Sequence, residues 1–157
     1  MRLVFWVAVC IFVLDQVTKY WIVHGLNLAE LGAIDVFPPY LNLRMAWNYG
    51  INFGLLSQDN ATTRWALILV ALVISFGVLW WVHHEPGGRL QAISAGLLVG
   101  GAIGNVIDRI IYGAVADFLN MSCCGINNPY AFNVADISVF AGAIGLVLFT
   151  PSGKNAS

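Results

Sequence analysis

The sequence predicts an all-α membrane protein with four transmembrane helices, on three observations. The chain of 157 residues is 59% hydrophobic and only 10% charged. A soluble domain carries about 25% charged residues, and a globular chain this apolar would lack the polar surface to cover itself. Four separate stretches approach the roughly 20 apolar residues that a hydrocarbon core demands.

The first span covers residues 3–23. Arg2 ahead of an apolar run imitates a signal peptide, but Asp15, Gln16, Thr18 and Lys19 follow with no small-x-small cleavage site, so the segment reads as a retained span. The second span, residues 65–82, opens at Arg64. A polar turn, His83-His84-Glu85-Pro86-Gly87-Gly88-Arg89, joins it to the third, residues 92–111. The fourth covers residues 132–149 and stops at Pro151. Residues 1–157 read as a single domain, without repeats.

Two connections are longer. Residues 24–63 contain Pro38-Pro39 and then a loosely alternating, β-forming run, Tyr40-Leu41-Asn42-Leu43-Arg44-Met45-Ala46-Trp47. That pattern predicts a short strand or hairpin at the membrane surface. Residues 111–131 contain a turn signal, Asn127-Asn128-Pro129. An even number of spans places both termini on one side. Arg2, Arg89 and Lys154, weighed against Arg44 and Arg64, favour cytoplasmic termini with the two long loops outside.

Composition also excludes. A formal net charge of -1 without a basic patch argues against a nucleic-acid partner. Cys10 lies in an apolar run, and Cys123 and Cys124 are neighbours, so the three make no disulfide framework and read as free thiols without a catalytic role.

Ionisable groups inside a membrane are expensive and mark function. Asp15 and Lys19 fall late in the first span, Asn105, Asp108 and Arg109 end the third, Asp117 follows it, and Asn133 and Asp136 start the fourth. Alternating span direction brings all eight to the face that carries the long loops. Asp15 and Lys19, four apart with the acid first, also suit a structural helical ion pair. Gly96, Gly100 and Gly104 form a small-residue row for close helix packing. Asn105 and Arg109, on a neighbouring row with Gly101, could brace a polar cavity. His83 and His84 lie at the opposite end and read as solvated turn residues; His24, alone at a helix end, reads as local.

Asp117 and Asp136 both have apolar sequence neighbours, a setting that raises a carboxyl pKa unless it is paired. Two such acids brought together would share a proton, as aspartic proteases require. Clustered carboxylates can instead hold a hard cation such as Mg²⁺, as in a metal-dependent head-group transferase. Intramembrane acids also fit a small transporter or proton channel, although such proteins show repeats and midplane sites. A non-catalytic scaffold is a further reading. The chain carries no H-E-x-x-H or G-x-S-x-G pattern.

Five segments resemble lipoprotein signal peptidase, the type II signal peptidase family of bacteria. They are Asp15-Gln16-Val17-Thr18-Lys19, Asn48-Tyr49-Gly50-Ile51-Asn52-Phe53-Gly54, the run from Gly100 through Gly104-Asn105 to Asp108-Arg109, Val115-Ala116-Asp117-Phe118, and Phe132-Asn133-Val134-Ala135-Asp136. The resemblance implies an aspartic endopeptidase of the inner membrane with Asp117 and Asp136 as its dyad and no cofactor or metal. It implies supporting or substrate-binding roles for Asp15, Lys19, Asn48, Gly50, Gly101, Asn105, Arg109, Asn133 and Ala135. It also implies a small extracytoplasmic β-sheet cradle beside the four helices, near Tyr40 to Gly54. The expected substrate is a prolipoprotein signal peptide bearing a diacylglyceryl-cysteine, cut just before that cysteine amid membrane lipids, and the expected inhibitors are of the globomycin type. Two positions depart from the family pattern. Asn52 stands where a small residue is common, which bears on inhibitor sensitivity, and Ala116 stands where Val is common.

Overall fold

The computed structural model describes residues 1–50 and 61–150. Asn52, Pro151 and Lys154 lie outside the described residues, and with them the expectations placed on those positions.

Helix α1 spans Arg2–Tyr20 and runs on through a π-helical turn, Trp21–Gly25. A short helix α2, Leu28–Leu31, leads into strands β1, Ala33–Phe37, and β2, Leu41–Asn48. Helix α3 is Ala61–His84 and α4 is Arg89–Ile111. Strand β3, Val115–Asn120, precedes the last described helix, α5, Val134–Phe149. The three strands form one antiparallel sheet in the order β1-β2-β3.

The strand expected near residues 40–47 is therefore present as β2. Strand β3 has no counterpart in the sequence reading, which treats residues 111–131 as connection. Its burial explains this: Val115, Ala116, Asp117 and Phe118 are all buried, and a strand covered on both faces carries no alternating pattern. The turn signal at Asn127-Asn128-Pro129 is met locally, where the Asn128 side chain accepts a hydrogen bond from the Tyr130 amide at 3.0 Å. The chain reverses slightly earlier, at Cys124 and Gly125, both with positive φ.

Among the described residues, three helical segments are long and apolar enough to cross a membrane: Arg2–Gly25, Ala61–His84 and Arg89–Ile111. The fourth expected span is a shorter apolar helix. Helix α5 has 16 residues, a rise of about 24 Å, where a hydrocarbon core is about 30 Å thick. It starts late because Asn133 caps it. The Asn133 side chain accepts from the Asp136 amide at 2.8 Å, and Asp136 accepts from the Asn133 amide at 3.3 Å, a capping box that fixes the first turn.

Helix α4 is the centre of the bundle, with α1, α3 and α5 packed on it. The small-residue row makes this possible. A Cβ on Gly100 would meet the Ala8 carbonyl oxygen at 2.5 Å, and one on Gly96 would meet Val7 Cβ at 2.6 Å. Leu69, Val73 and Phe76 on α3 and Phe140 and Val147 on α5 are exposed, as expected of surfaces that lipid covers. One apolar cluster, Val4, Val82, Ala95, Leu98, Val99 and Leu146, fills one end of the bundle. Another, Ile22, Leu28, Leu43 and Phe118, sits beneath the sheet.

Candidate active site

The eight polar groups expected to converge do so, at the junction of the sheet with the bundle. Asp117 enters on β3, opposite Ala46 of β2. Asp136 enters as the third residue of α5. Their sequence neighbours are apolar, but their side-chain surroundings are not. Alternation along β3 sends Val115 and Asp117 to one face and Ala116 to the other. On the Asp117 face the neighbours are amides.

Three asparagines contact the acids, and all are oriented the same way. Asn48 Oδ1 accepts from the Gly50 amide at 3.1 Å, which turns its Nδ2 to Asp117 Oδ2 at 3.0 Å. Asn133 Oδ1 is used by the helix cap, so its Nδ2 donates to Asp117 Oδ1 at 2.6 Å. Asn105 Oδ1 accepts from Lys19 Nζ at 3.1 Å and from Asn133 Nδ2 at 3.3 Å, so its Nδ2 donates to Asp136 Oδ1 at 2.9 Å. An ammonium and a backbone N–H can only donate. The amide oxygens are thereby occupied, and each of the three asparagines turns its N–H groups to the acids.

Asp117 is 2% exposed. Burial, and after it repulsion from the Asp136 carboxylate, pushes its carboxyl up to about 7, against the bonds from Asn48 and Asn133 and the charge of Lys19. The pair thus keeps one proton near neutrality while its other oxygens receive N–H donors. That is one acid beside one base, the requirement for activating a water and polarising a carbonyl.

The remaining expected residues surround this pair. Arg109 donates to the Gly50 carbonyl at 3.0 Å and the Asn105 carbonyl at 3.3 Å. Gly101 lets α5 approach, since a Cβ there would meet the Ala135 carbonyl at 2.5 Å. Ala135 is fully buried and donates its amide to Asp15 Oδ1 at 2.9 Å. Asp15 and Lys19 form the expected ion pair at 2.8 Å. The pair is buried rather than interfacial. Gly104 makes room for it, a Cβ there lying 2.5 Å from Asp15 Oδ2.

Asp108, one of the eight converging groups, and Gln16 carry no role among the expected supporting residues, yet both belong to the site. Asp108, 1% exposed, pairs with Lys19 at 2.8 Å and accepts from the Ala116 amide at 3.3 Å. Gln16 Nε2 reaches Asp15 Oδ2 at 3.2 Å and Asp108 Oδ1 at 3.1 Å. A helical signal existed: Asp108 is four residues beyond Gly104, on the face turned to α1. His24 is exposed, as are His83 and His84, which end α3. Cys10, Cys123 and Cys124 are free and exposed. Among the described residues, no group of three or more His, Cys, Asp or Glu side chains is arranged to hold a metal ion.

This arrangement has relatives. The chain is 40% identical over 135 residues to a lipoprotein signal peptidase of Methylorubrum extorquens (strain PA1), covering 86% of this chain and 77% of that one. It is 41% identical over 145 residues to one of Methylobacterium sp. (strain 4-46), covering 91% and 85%. A bacterial membrane enzyme solved by the in meso method at 1.9 Å resolution superimposes with a TM-score of 0.79 at 25% identity, over 94% of this chain and 92% of that one. The model of the signal peptidase II family matches residues 7–151, and a match over that much of the sequence places the chain in the signal peptidase II family.

Proposed function

We propose that this protein is an aspartic endopeptidase that removes signal peptides from diacylglyceryl-modified prolipoproteins, cutting before the lipid-modified cysteine. The observation that carries the reading is the pair of buried Asp117 and half-buried Asp136, both held by asparagine N–H donors, with the Asp117 carboxyl shifted to about 7. The ionised acid takes a proton from a water between the two, and the protonated one polarises the scissile carbonyl. Asn48, Asn105 and Asn133 steady the charge left on the pair. Arg109 holds the Gly50 carbonyl, and so the chain leaving β2, against the site.

The same reading gives α5 the role of a fourth span, made sufficient by flanking residues or a locally thinned bilayer. It places the protein in the bacterial inner membrane with both termini cytoplasmic and the dyad towards the extracytoplasmic face. A substrate's apolar signal segment then lies along the bundle while its cleavage site reaches the sheet. Globomycin-type compounds are expected to compete for that position.

The test is cleavage of a lipid-modified precursor by the purified protein, followed by mass measurement. Asp117→Asn and Asp136→Asn each lower the rate by about 10²–10⁴, since Asn can neither take nor give the proton. The double variant is scarcely worse than either single one, as for groups that act as a unit. Metal chelators leave the rate unchanged. Near-normal cleavage by either single variant removes that acid from catalysis, and loss with a chelator, restored by Mg²⁺, favours the transferase reading.

A further inference from the structure

Behind the dyad lies a second set of buried charges that the proposed chemistry does not use. Asp15 comes from α1 and Asp108 from α4, and Lys19 sits between them at 2.8 Å from each. Asp15 is fully buried and Asp108 is 1% exposed. Burying two carboxylates and an ammonium is costly even when they pair, and α1 could be tethered to α4 by packing alone.

The two carboxylates have matching second partners. Asp15 Oδ1 accepts from the amide of Ala135, the residue before Asp136. Asp108 Oδ2 accepts from the amide of Ala116, the residue before Asp117. Each therefore holds the backbone one residue ahead of one dyad acid. Lys19 joins the two holds, and its remaining proton goes to Asn105 Oδ1, which aims the Asn105 amide at Asp136. Gln16 closes the set by bridging both carboxylates.

We infer that Asp15, Lys19 and Asp108 form a clamp that sets the separation of the two dyad aspartates, with Asp108 as a positioning residue for the β3 side. This rests on the dyad reading above. The two acid-bearing backbones also meet directly, where Asn133 Nδ2 donates to the Ala116 carbonyl at 3.3 Å and the Phe132 amide to the Leu119 carbonyl at 3.0 Å; the clamp adds a charged link from the far side, through α1 and α4, at the residue before each acid. Because the two acids share a proton, their separation also governs how tightly that proton is held. The charged groups facing the dyad are Asp15 and Lys19 from α1, Asp108 and Arg109 from α4, and the acids themselves from β3 and α5.

The test uses the full-length enzyme in lipid or detergent with the lipid-modified precursor. Asp108→Asn keeps an acceptor for the Ala116 amide but releases Lys19. The expected result is a fall in kcat of about tenfold to a hundredfold, the scale of a 1 Å misplacement. KM stays within about twofold. The upper limb of the pH profile moves to lower pH by at least about half a unit, because acids that drift apart hold the shared proton less tightly. Gln16→Leu, which buries no unpaired charge, shows the same pH displacement with a smaller loss and covers the case in which Asp108→Asn fails to fold. A purely structural clamp would lower the amount of folded enzyme and leave its pH profile in place; that result, or unchanged kcat in Asp108→Asn, overturns the inference. If Asp117→Asn cleaves normally in the same assay, the dyad reading itself fails, and the two failures stay distinct.

Discussion

At the level of single residues, the site is a set of donors aimed at two acids. Its pH dependence follows. The Asp117 carboxyl, raised to about 7 by burial and by Asp136, keeps its proton below that value. Cleavage is steady from mildly acidic pH to near 7 and falls as pH rises through about 7, approaching tenfold per unit, as the pair loses its last proton. A pH–rate profile checks this, and a plateau continuing well above pH 8 contradicts it. The two arginines also separate. Arg109→Ala removes the bonds to the Gly50 and Asn105 carbonyls and leaves dyad charge uncompensated, so cleavage falls at least tenfold. Arg64, half-buried with its guanidinium 5.6 Å from the Trp65 ring, makes no such bonds, and Arg64→Ala changes cleavage little; equal mild effects would reduce Arg109 to an anchor. The acids, Asn48, Asn105 and Asn133 are legible in sequence because polar residues stand out in apolar spans. Asp108 is harder to place, because its partner Ala116 contributes only a backbone N–H, which no side-chain pattern reports.

Among the elements, α4 has the strictest demands. Gly101 faces the Ala135 carbonyl, whereas a Cβ on Gly77 of α3 has nothing within 4 Å. Gly101→Ala therefore pushes away the first turn of α5, at the scale of about 1–3 kcal/mol for overpacking, and displaces Asp136 with it. Gly77→Ala is neutral or stabilising, by up to about 1 kcal/mol, because Ala is the better helix former. Thermal unfolding in detergent together with cleavage rates checks the pair; if Gly101→Ala behaves like Gly77→Ala, close approach at Gly101 is not required. The long helices are legible from apolar length, and the row Gly96, Gly100, Gly104 from its spacing. Strand β3 is not, since burial on both faces erases its period. The start of α5 is legible only to someone who reads Asn133 and Asp136 as a cap as well as a site.

For the molecule as a whole, orientation is the open expectation with the plainest test. Cys123 and Cys124 are exposed in the segment after β3, on the dyad's side of the bundle, while Cys10 lies along α1. A membrane-impermeant thiol reagent labels Cys123 and Cys124 in right-side-out vesicles and spares them in inside-out ones; the reverse pattern inverts the topology. The variant with all three cysteines replaced by Ser keeps its activity, since none touches the dyad. The site itself draws on α1, β2, β3, α4 and α5 together. During synthesis the ribosome delivers Asp117 well before Asp136, and the nascent chain has no second acid until α5 emerges. A protease assembled in this order stays inert while its own membrane segments are still passing through the insertion machinery beside other newly made signal sequences, and it becomes competent only when its last described helix has found α4.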